Sequence, residues 1–125
     1  MRALILLATV AMIAGCTRPA VPDNAQAFAQ EIAGRTAGPA ESCIPATQKQ
    51  NLRVVDAQTL AYDDGPTVWV NHLSAPCPGI AAMSTVIVEP KLGTQYCSGD
   101  HVRGLEPGAI IAGPTCFLGA WVPYR

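Results

Sequence analysis

Five cysteines and two histidines are the side chains of this 125-residue chain best suited to chemistry, and their spacing decides among the uses open to them. Cys43, Cys77, Cys97 and Cys116 are separated by 34, 20 and 19 residues, so no C-x2-C knuckle exists to seed a zinc site. His72 and His101 would need a shared carboxylate to serve as an acid–base or metal pair. Asp100 adjoins His101, but neighbours on a strand point to opposite faces. Nucleophile and phosphate-loop signatures (G-x-S-x-G, S-x-x-K, H-E-x-x-H, Walker-type glycine loops) are absent. Asp63 and Asp64 form an acidic pair, but in the context D-D-G-P they are turn formers. The residues point to no catalytic site, no metal and no cofactor. Tyr62, Trp69, His72, His101 and Trp121 are the candidate binding face, with a core position as the competing use of the aromatics.

The fifth cysteine stands apart. Met1 and Arg2 are followed by a twelve-residue apolar stretch, residues 3–14, broken only by Thr9. It is too short to cross a hydrocarbon core of about 30 Å as a mature helix and reads as the central region of an export signal. Its end, Ile13-Ala14-Gly15-Cys16, resembles the lipobox of bacterial lipoproteins, which implies cleavage after residue 15 and acylation of Cys16. Several acyl chains anchor a protein stably where one does not. The expected location is therefore a bacterial membrane, with the domain on the exported side. Thr17 stands where an Asp would favour inner-membrane retention, which points to the outer membrane, facing the periplasm.

Assigning Cys16 to lipid leaves four thiols, an even number that two disulfides consume in an oxidising compartment. Three pairings are open. The segment between Cys77 and Cys97 holds one strand and a return through Lys91-Leu92-Gly93, which favours Cys77–Cys97 with Cys43–Cys116 nested around it.

These residues must be positioned by short elements. Half of the chain is hydrophobic, but twelve of those residues lie in the first fifteen, so the remainder has an ordinary composition. Outside the leader seven basic side chains face nine acidic ones, a balance of −2 with no basic run, which argues against nucleic acid as a partner. Eleven Gly and eleven Pro cut the chain into pieces too brief for a helical bundle. The expected fold is all-β: a small disulfide-stapled antiparallel barrel or sandwich, after a signal peptide (1–15) and a lipidated tether with a short helix (16–42). The β-domain spans 43–125.

Asp23 or Asn24 caps the helix, whose stripe is Ala25, Phe28, Ala29 and Ile32, ending at Gly34. Residues 36–42 read as a second linker. Strands are expected at 52–55 and 59–62, with 56–58 a bulge or a bend between them, and at 67–73 beyond a four-residue loop, 63–66. That loop sets Tyr62 opposite Thr67, Leu60 opposite Trp69 and Thr59 opposite Val70. One face then carries Leu60, Tyr62, Trp69 and Leu73, and the other Ala57, Thr59, Ala61, Val68, Val70 and His72. Further strands are expected at 84–89, at 94–97 and 101–103 as a hairpin about Ser98-Gly99, at 109–112, and at 115–124 with a break at Gly119. Six to eight short strands fit a small barrel or sandwich.

Three segments carry a resemblance: 52–62 (LRVVDAQTLAY), Trp69-Val70-Asn71-His72-Leu73, and Pro76-Cys77-Pro78-Gly79-Ile80. With Tyr96-Cys97-Ser98-Gly99-Asp100 and the ending 116–123 (CFLGAWVP), they resemble a family of short proteobacterial lipoproteins of unknown function. Tyr96, Ile80 and Trp121 depart from its pattern. The similarity covers residues 43–124 and implies no activity. Size, anchor and cysteines are also loosely similar to periplasmic lipoproteins that inhibit lysozyme through a small disulfide-bonded barrel, an analogy of architecture. The resulting expectation is a non-enzymatic, lipid-anchored periplasmic protein that binds an envelope partner or supports the envelope. A hydrolase inhibitor and, further off, an envelope enzyme are the alternatives.

Overall fold

The computed structural model describes residues 23–46 and 52–125, so Cys16, the expected export signal and residues 17–22 lie outside the described part. Within it, one helix, α1 (Asn24–Glu31), precedes nine strands: β1 (Cys43–Pro45), β2 (Arg53–Asp56), β3 (Thr59–Asp64), β4 (Thr67–His72), β5 (Thr85–Glu89), β6 (Gln95–Cys97), β7 (His101–Leu105), β8 (Cys116–Phe117) and β9 (Trp121–Tyr124). They form three antiparallel sheets, β2-β3-β4-β9, β5-β7-β8 and β1-β6. The sheets do not close into a barrel; the arrangement is an open, sandwich-like all-β fold.

The hairpin β3–β4 organises the core because both of its faces are covered. Leu60, Tyr62, Trp69 and Leu73 pack with Ile44, Ile80, Val102, Leu118 and Trp121, while Ala61, Val68 and Val70 meet Phe28 of the helix and Ile32 at its C-cap. The two faces are as the alternation of residue types predicts. The register is not: Tyr62 pairs with Trp69, Leu60 with Asn71 and Thr59 with His72, two residues away from expectation. Asp64 lies opposite Thr67, so the loop is Gly65-Pro66 alone. In a two-residue loop the closing donor comes from the residue after it, so the missing N–H of Pro66 costs nothing there. Gly65, at φ +55, supplies the left-handed backbone that the first loop position needs.

Residues 56–58 are a reversal, not a bulge or bend within one strand. β2 and β3 are antiparallel with Asp56 opposite Thr59, and the Asp56 side chain accepts from the Gln58 N–H at 2.8 Å. The bulge lies one step earlier, between Val54 and Asp56.

Helix α1 begins where the capping residue requires: the Asp23 side chain accepts from the Gln26 N–H at 2.8 Å. An eight-residue helix is marginal alone and is held here by docking. Phe28 meets the rings of His72 and Tyr124 edge-on at 5.1 and 6.1 Å. The buried side is rotated from the expected stripe, since Ala25 and Ala29 are exposed while Ala27, Phe28, Glu31 and Ile32 are half-buried. Glu31 turns inward because it meets Arg53 of β2 at 2.6 Å, and Arg53 also grips Asp63 at 2.7 Å. Burial works to lower the Arg53 pKa, but its hydrogen bonds to Glu31 and Asp63 outweigh that and hold it above its ordinary value.

Residues 36–42 are not a linker. Thr36 and Arg125 exchange backbone hydrogen bonds, Gly38 donates to Pro123, and Glu41 and Trp121 exchange another pair at 2.8 Å. This segment runs antiparallel to β9 and continues the four-stranded sheet, so the folded unit includes the helix and does not start at Cys43.

Both disulfides form, but the nested pairing is overturned: the bonds are Cys43–Cys97 and Cys77–Cys116, which interleave along the chain. The reason lies in strand pairing. β6 does not make a hairpin with β7; it pairs with β1, which puts Cys43 opposite Cys97. Cys77 is drawn to the end of the β2–β3 hairpin, where its N–H donates to Ala57 at 2.8 Å, and β8 brings Cys116 to the same corner. Bonds closing loops of this length contribute about 2–4 kcal/mol each. Residues 109–112, expected as a strand, are instead an exposed loop.

Candidate binding face

Of the five residues proposed from sequence as a binding face, three are excluded by burial. Tyr62, Trp69 and Trp121 retain 2 %, 7 % and 0 % exposure and belong to the core, where Tyr62 meets Trp121 edge-on at 6.2 Å. The Tyr62 hydroxyl is satisfied by the Pro45 carbonyl at 3.0 Å. Their alternating positions on β3, β4 and β9 bring them inward together, and no partner can reach them without unfolding the sheet.

The two histidines lie on different sheets. His72, at the exposed end of β4, is on the helix side; its Nδ1 stands 3.1 Å from the Thr59 hydroxyl and its ring against Phe28. Together with Asn24, Ala25, Asp56 and Gln58 these residues line an open groove of about 350 Å³. His101, on β7, faces outward from the other sheet.

The surface around His101 is the more developed one. The register of β5, β7 and β8 sets Ile87 opposite Arg103, Glu89 opposite His101, and His101 opposite Phe117. Alternation sends Val86, Val88 and Val102 into the core and leaves these five side chains on the outer face. Phe117 meets His101 edge-on at 5.3 Å. Glu89 stands 3.7 Å from His101 Nδ1 and 4.0 Å from Arg103 Nε, and Arg103 donates to the Thr115 hydroxyl at 3.0 Å. An aromatic ring, an isoleucine and a carboxylate between an imidazole and a guanidinium make a surface able to bind apolar and charged groups together. The Thr115 hydroxyl at its edge is engaged by Arg103, and Cys77 and Cys116 are joined in a disulfide. Among the described residues, no three of His, Cys, Asp and Glu stand where they could share a metal ion.

Sequence reasoning found His101 but missed Ile87, Glu89, Arg103 and Phe117. The signal was present for the first two, because a strand TVIVE with both valines inward leaves Ile87 and Glu89 outward. Arg103 and Phe117 join them only through strand pairing. Asp100, read from sequence as pointing away from His101, does so: it is fully buried, and its oxygens accept from the N–H groups of Cys97 at 2.7 Å and Lys91 at 3.1 Å. It holds the turn that leads from β6 into β7.

Comparison with known proteins brings no match: no protein family, no curated protein and no solved structure corresponds to this chain.

Proposed function

We propose that this chain is a lipid-anchored envelope protein that binds a partner through the outer face of β5, β7 and β8 and catalyses no reaction. The observation that carries the reading is that face: Phe117 and Ile87 keep 47 % and 36 % of their surface in water on an ordered sheet, flanked by Glu89, His101 and Arg103. Exposed apolar side chains set among charges on a rigid surface are what recognition uses.

The anchoring half of the proposal rests on the sequence around Cys16, on its similarity to short proteobacterial lipoproteins, and on thiol parity. With Cys43, Cys77, Cys97 and Cys116 all consumed in disulfides, Cys16 is the one cysteine left for acylation. Two such bonds also suit an oxidising compartment, and Thr17 favours the outer membrane. The first partner class to assay is a cell-wall hydrolase, which the looser architectural analogy implies.

The test is crosslinking in intact envelopes with the wild type and with Phe117→Ser. A discrete crosslinked partner that is lost in Phe117→Ser, while the variant melts as the parent does, supports the reading. A partner retained in Phe117→Ser and in Ile87→Ser removes the face from consideration.

A further inference from the structure

We infer that the loop of residues 106–112 touches the bilayer to which the chain is anchored, so that the protein holds a fixed orientation on the membrane. This rests on the lipid-anchor reading above and adds a second, non-covalent contact to it.

The loop is unlike the rest of the surface. Ile110 and Ile111 are 96 % and 79 % exposed, side by side, with Ala109 also in water. Single exposed apolar residues are ordinary, whereas two adjacent isoleucines held almost entirely in water at a loop tip are costly unless something covers them. The loop springs from ordered supports: the Gly113 N–H donates to the Gly104 carbonyl at 2.8 Å across its base. A short protruding apolar tip on a fixed base is suited to entering the headgroup region, where apolar burial favours insertion.

Position and tether length identify the bilayer as the occupant. Only six residues separate Cys16 from the helix cap at Asp23, a reach of at most about 24 Å over seven Cα steps. The end of the molecule that bears Asp23 is therefore held close to the lipid. Asn24 shares its groove with Asp56 and Gln58, at the turn between β2 and β3. The middle residue of that turn, Ala57, accepts from the Cys77 N–H, and Gly79, two residues further on, lines one small cavity with Ile111. Helix start, β2–β3 turn, Cys77 corner and apolar loop are thus linked by successive short contacts. The Gly65-Pro66 turn is at the far end of β3 and β4.

The experiment uses the acylated mature chain in phosphatidylcholine–phosphatidylglycerol vesicles with and without brominated acyl chains. Trp69 and Trp121 are buried and serve as an internal standard. Ile110→Trp should lose the added emission in brominated vesicles, and Pro66→Trp, at the opposite end, should keep it. Intact mass and vesicle flotation report the anchor separately. Ile110→Trp emission equal in both vesicle types, on protein that floats and carries lipid, overturns the loop contact and leaves the anchor reading standing. Protein without lipid on Cys16 overturns both. A blue shift of Ile110→Trp that grows with protein concentration in the absence of vesicles makes the loop a self-association site and also overturns the inference.

Discussion

Asn71 and Gly119 exchange two hydrogen bonds through one side chain: the Asn71 amide donates to the Gly119 carbonyl and accepts from the Gly119 N–H, both at 2.8 Å. Asn71 has no exposed surface, so its amide acts as an extra strand edge that satisfies the chain where β8 gives way to β9. Gly119 is required there because a Cβ would collide with the His72 carbonyl.

Asn71→Ala should therefore destabilise the fold by about 2–4 kcal/mol, since it leaves a buried donor and a buried acceptor unmatched. Gly119→Ala should also destabilise, through the collision with His72. Urea melts read both. An Asn71→Ala midpoint equal to the parent would mean that water replaces the amide.

Asp100→Ala removes two acceptors at once, from Cys97 and Lys91, and should cost about 2–4 kcal/mol for the same reason. Asp100→Asn should lie between the two, because one amide oxygen remains while its NH2 faces a donor. Denaturant melts of the three proteins give the order directly.

Peptide mapping without reduction should recover Cys43 joined to Cys97 and Cys77 joined to Cys116. The double variant Cys77→Ser with Cys116→Ser should lose about 2–4 kcal/mol. Recovery of a Cys77–Cys97 peptide would contradict the pairing of β6 with β1.

Trp69→Ala and Phe117→Ala separate the core from the proposed binding face. The first should cost about 3–5 kcal/mol, as truncation of a buried aromatic does. The second should change stability by no more than about 0.5 kcal/mol, as at most surface positions, while weakening partner capture. If Trp69→Ala melts like the parent, the core assignment fails.

Intact mass of the protein isolated from membranes should correspond to residues 16–125 plus acyl chains, and Cys16→Ser should abolish the lipid. An unmodified Cys16 thiol in the native protein would refute the anchor.

Much of this molecule is legible one residue at a time. The Asp23 cap, the existence of β2, β3, β4 and β5, and the two faces of the central hairpin follow from residue type and alternation alone. The faces survive even though the register does not, because side chains alternate with a period of two and a slip of two residues returns each to its own side. The even number of thiols beyond Cys16 is likewise a property of the chain, and so is the outward position of Ile87 and Glu89 on a strand whose valines turn inward.

What the chain alone leaves open is which segments meet across distance. Pairing of β6 with β1 in place of β7 decided the disulfides, and pairing of residues 36–41 with β9 turned an apparent linker into sheet. The same long-range pairing assembled Arg103 and Phe117 beside His101, and buried Tyr62, Trp69 and Trp121 beyond the reach of any partner. Local propensity is set by neighbours a few residues away. Strand pairing depends instead on whether the hydrogen bonds and burial gained exceed the entropy of closing loops tens of residues long, and that balance is struck by the whole fold.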